Sequence, residues 1–232
     1  MIEMTRRVLA VLAVAATVAT PSAQPAGTGR IVFPTSQRGP AQDAFIRGIL
    51  NLHNFEYDEA IIAFREAQKI APSFAMAYWG EALACTQPLW YNEDISRARA
   101  VLARLGPTAS SRAAKAPTLR EQGYMAAIEK LFGEGDRATR FRAFADSLSA
   151  IAQRFPEDDE ARAFESLALL GTIPEGTRRP DVSLKAGALA SAVLQHNPQH
   201  PGAAHYMLHA YDDGEHNGIA LPAARVYARL AP

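Results

Sequence analysis

Five of the six histidines of this 232-residue chain fall in one stretch: His196, His200, His205, His209 and His216. His205 and His209 are four residues apart, so on a helix both rings project from one face. That spacing offers two imidazole nitrogens to a single metal ion. Asp212, three residues further along the same face, and His200, five residues before the pair, are the candidates to complete the site. A divalent metal is the one ligand these residue types suggest, and no other cofactor is expected. The order His205-Tyr206-Met207-Leu208-His209 lacks the glutamate that follows the first histidine in zinc metalloproteases. Protease chemistry therefore has no catalytic base here. The alternative is that these histidines line a surface or pack in a core, bonded to neighbouring carboxylates. No glycine-rich phosphate loop, serine nucleophile elbow or dinucleotide fingerprint accompanies them. The single cysteine, Cys85, excludes an intrachain disulfide and a cysteine-based zinc cluster.

The elements that must position these residues are helices. Apolar-periodic segments at about 40–53, 57–70, 73–86, 94–105, 117–133, 137–154, 157–171, 181–196, 199–212 and 219–230 alternate with Pro, Gly and Asn breaks. No run alternates β-branched and polar residues, so no sheet is expected. Asp94 is placed to cap one helix and Pro117 to begin another. The acidic run 157–160 reads as a solvated helix start favoured by the helix dipole. Residues 106–116 and 171–180 read as loops.

The beginning of the chain has the layout of a secretory signal. Arg6 and Arg7 precede an apolar run over 8–19, and small residues follow to Ala23. The run is too short for a bilayer, which needs about 20 residues. The expected organisation is a signal peptide over 1–23, a flexible linker over 24–39 and a helical domain over 40–232. The mature protein is expected in the periplasm or outside the cell, with no membrane span. Lys+Arg and Asp+Glu both number 24. This balance argues against a nucleic-acid partner, which calls for a basic excess.

A repeat underlies the helices. Gly48 lies in one helix; Tyr57, Ala60, Phe64 and Ala67 recur at three or four residues in the next, and Pro72 closes the unit. Pro198 and Pro232 are 34 residues apart. The small–aromatic–small pattern, the closing proline and this period resemble the tetratricopeptide repeat family. The segments 52–60, 75–82 and 200–206 are similar to exported bacterial proteins of that family. Two positions depart from it: Ala44 stands where a tryptophan is usual and Asn51 where a tyrosine is usual.

The resemblance implies an all-α fold of helix-turn-helix repeats stacked as an α-solenoid with irregular insertions. Its concave groove would bind a protein or peptide. With Pro72 setting the register, the groove residues are His53 in the first unit, Trp79 in the second, and His205, His209 and Asp212 in the last. Pro232 lies where a unit finishes and no polar capping helix follows it, so the array is expected to continue in the natural protein. The expected function is an extracytoplasmic binding scaffold. The alternative is a metal-binding protein or metalloenzyme that uses residues 196–216.

Overall fold

The computed structural model describes residues 29–231. The segment read as an export signal lies outside the described residues. Side chains that accept from free N–H groups of a first turn fix several helix starts. Asp94 does so for α4 (Ile95–Leu105), Asp136 for α7 (Arg137–Arg154) and Asp158 for α8 (Asp159–Gly171). Thr118 forms a capping box with Glu121 at α6 (Leu119–Leu131). His200 caps α10 (Pro201–Ala210) with a ring nitrogen. The remaining helices are α1 (Pro40–His53), α2 (Tyr57–Ile70), α3 (Ala75–Leu83), α5 (Ala109–Ala113), α9 (Pro180–His196) and α11 (Asn217–Leu230).

Two features correct the sequence expectation. The short α5, boxed by Thr108 and Ser111, occupies the stretch read as a loop. A small antiparallel ladder also joins β1 (Thr86–Gln87) to β2 (Asn92–Glu93). Two residues per strand are too few to leave an alternating pattern in the sequence.

Successive helices pack as hairpins: α1 with α2, α3 with α4, α6 with α7, α8 with α9, and α10 with α11. Between hairpins, α2 meets α3, α7 meets α8 and α9 meets α10. The opening helices also gather: α3 touches α1 and α6, while α10 touches α8 and α1. The core they share holds Phe45, Phe64, Trp79, Tyr124, Phe164 and Tyr206, all fully buried. Phe64 of α2 is seated between Gly48 of α1 and Gly80 of α3. A Cβ on Gly48 would lie 2.5 Å from the ring, so glycine is what allows this approach.

Residues 29–39 are not the flexible linker expected. Ile31 and Phe33 are buried, and the Phe33 ring lies 5.1 Å from both Phe45 and Tyr124. The Arg30 N–H donates to the Gln199 carbonyl at 2.8 Å, and Gln42 Nε2 donates to the Phe33 carbonyl at 2.8 Å. The Arg120 guanidinium sits 4.5 Å over the Phe33 ring. Residues two apart on an extended chain point to the same side, so Ile31 and Phe33 anchor this strap together. No described helix is long and apolar enough to cross a membrane.

Candidate functional site

The histidines form two layers joined at His53. The inner layer is entirely buried. His53 ends α1, stacks on Phe164 at 4.8 Å, and fits because Gly202 of α10 has no Cβ to enter its ring. His53 Nε2 is 2.8 Å from Glu160 Oε2, and His53 Nδ1 is 2.8 Å from the Tyr206 hydroxyl. On the other side of Glu160, His200 Nε2 approaches Oε1 at 3.2 Å. His200 Nδ1 accepts the Ala203 N–H, so the neutral ring carries its proton on Nε2, facing the carboxylate. Burial would raise the Glu160 carboxyl, but its two imidazole partners outweigh that and hold it at about 2. Burial pushes His53 below its ordinary value, against the pull of Glu160. The protons are therefore ordered: Tyr206 O–H to His53 Nδ1, and His53 Nε2–H to Glu160.

The outer layer begins at the His53 carbonyl. His205 Nδ1 lies 2.8 Å from that oxygen, which can only accept, so His205 carries its proton on Nδ1. The Tyr227 hydroxyl is 3.1 Å from the same nitrogen. His205 Nε2 is left with a lone pair, and His209 Nε2 faces it at 3.2 Å. Burial pushes His205 down to about 4 and lowers His209 as well, so both rings are neutral near pH 7. Phe55 packs on His205 at 4.1 Å, on His209 at 5.7 Å and edge-to-face with Trp90 at 5.2 Å. Phe55 (φ 63°) and Tyr91 (φ 55°) both hold left-handed backbone, a costly conformation for bulky residues. Trp90 is 56% exposed. Beside it opens a cleft of about 670 Å³, lined among others by Tyr91, Arg178, His209, Asp212 and His216.

The structure distributes the sequence-derived residues unevenly. His205 and His209 come together as the helical spacing requires. Asp212 is close enough to favour charge on His209 but does not converge with the pair as a ligand group. His200 leaves them for Glu160 and His53, whose ligand atoms lie within 4.8 Å of one another. The groove assignment is corrected at two positions. His53 and Trp79 are wholly buried, because α6, α8, α10 and the strap cover the faces that an open array would expose. Glu160 is the residue sequence reasoning missed. The acidic run reads as solvated, yet Glu160 is fully buried and Asp158 nearly so. The signal lay in its phase, four residues before Phe164 and seven before Leu167, on the buried stripe of α8.

The two layers and the adjoining cleft define a mostly helical protein of packed hairpins with a histidine–aromatic site. No family model matches the chain, and no curated protein matches it.

The buried histidines make stability acid-sensitive. A ring held at about 4 when folded returns to about 6.5 when unfolded, so unfolding takes up a proton below about pH 6.5. The contribution of His205 is complete above that pH and is lost as pH falls towards 4, at most about 3 kcal/mol. Urea midpoints are expected to drop between pH 7 and pH 5, with a flatter profile in His205→Gln.

Proposed function

We propose that the chain is an exported scaffold of tetratricopeptide-like hairpins, stacked as a solenoid, that binds a protein or peptide on the face around Trp90 and His209. This places the working surface outside the inner groove, whose first two units are filled by the chain's own side chains. The observation that carries the reading is Trp90, a large aromatic left 56% exposed beside two strained aromatic residues and a cleft. An exposed indole held in place supplies contact area at low entropic cost, and tryptophan is enriched among residues that dominate binding energy.

The test is selection of displayed peptides against the full chain, followed by titration using Trp90 emission. Trp79 is buried, so acrylamide quenching reports on Trp90. Selected peptides are expected to shield Trp90 and to bind about tenfold more weakly, or worse, to Trp90→Ala, the loss of a strong contact residue. Equal affinity for Trp90→Ala and His209→Ala would reject this surface.

A further inference from the structure

We propose that His205 and His209 chelate one borderline transition-metal dication, of the Zn(II), Cu(II) or Ni(II) class, through their two Nε2 atoms. The proposal stands apart from the scaffold reading, since neither ring needs a protein partner to bind a metal.

Three observations carry it. The first is the tautomer of His205. Its Nδ1–H is committed to the His53 carbonyl at 2.8 Å, leaving Nε2 as the lone-pair nitrogen. Donation of the second ring N–H to a backbone carbonyl is the arrangement that orients metal-binding imidazoles and raises their basicity. The second is the bite. For metal–nitrogen bonds of about 2.0–2.1 Å, two cis nitrogens lie about 2.9 Å apart on a square and about 3.4 Å apart on a tetrahedron. The observed Nε2–Nε2 separation is 3.2 Å, between the two. The third is access. His209 lines the cleft, so an ion has a route from solvent, and the remaining coordination positions fall to water or a ligand there. Asp212 favours positive charge near His209. On binding, the Nε2–H of His209 is given up and its proton moves to Nδ1, with no net change of charge on either ring. Imidazole donors select these ions over magnesium or calcium, which take oxygen ligands.

The buried set of His53, Glu160 and His200 is the competing location. Its obstacle is His200. Because His200 Nδ1 accepts the Ala203 N–H, a metal on Nε2 would require either an imidazolate or loss of the α10 cap.

Chelator-treated full-length protein is titrated with Zn(II) by calorimetry and with Cu(II) by electron paramagnetic resonance. One ion per chain is expected, with a Cu(II) spectrum split by two imidazole nitrogens. His205→Ala and His209→Ala should each weaken binding about tenfold or more, since even outer-shell changes at metal sites cost 10–100-fold. His216→Ala should leave it unchanged. His209 is only partly buried, so its variant tests the site even if His205→Ala misfolds. Affinity kept within threefold in His209→Ala, or lost only in Glu160→Gln, would overturn the assignment.

Discussion

Replacing Glu160 by alanine is expected to destabilise the protein by about 3–5 kcal/mol, the cost of removing one partner from a buried charged network. Among the described residues the carboxylate is the acceptor in direct contact with both His53 Nε2 and His200 Nε2, and all three residues have no exposed surface. Its removal leaves two buried imidazole N–H groups without their acceptor. Glu160→Gln keeps the volume but offers one acceptor oxygen and turns an N–H₂ towards the other ring, so an intermediate loss is expected. The carboxyl titrates at about 2 when folded and near its ordinary 4.5 when unfolded. Its stabilisation is therefore complete above about pH 4.5 and lost as pH falls through 2. This window lies below that of His205, and acid unfolding should show both. Urea titrations of wild type, Glu160→Ala and Glu160→Gln at pH 7 and pH 4 measure the effect. A loss under 1 kcal/mol in Glu160→Ala would mean that the network is not closed on Glu160.

The helices were legible in the sequence because their limits rest on local chemistry. The ranges 40–53, 57–70 and 137–154 coincide with α1, α2 and α7, and Asp94 caps α4 as its type suggests. The His205–His209 pairing was legible for the same reason, since a separation of four within one helix fixes it. What covers each apolar face was not legible. Periodicity identifies the inward stripe of α1 and α3, but not that α10 comes round to α1 and closes over His53, nor that Phe33, Tyr124 and Phe164 close over Trp79. The tautomer of His205 depends on a carbonyl 152 residues away, and that of His200 on its role as a cap. The strap was not legible because Ile31 and Phe33 lie among Pro, Gly, Ser and Gln, and two side chains make no periodicity.

Phe64→Ala is expected to cost about 3–5 kcal/mol, the range for emptying a core aromatic site. The ring is fully buried, lies 5.9 Å from Phe45, and fills a slot made by two helices at once. Because Gly48 and Gly80 admit the ring, little can move in to replace it, so the cavity term should be near its full size. The same geometry makes a sharper prediction about Gly80. A Cβ there would overlap the Phe64 ring, so Gly80→Ala should destabilise the wild type strongly. In a Phe64→Leu background the added methyl meets a smaller, more flexible side chain, and its cost should fall. A double-mutant cycle by chemical denaturation is expected to give a favourable coupling within the usual 0.5–3 kcal/mol range for residues in contact. Additive losses would show that α1, α2 and α3 do not close on Phe64. The packing of the first helical hairpin, and with it the seat of His53 at the end of α1, would then need another cause.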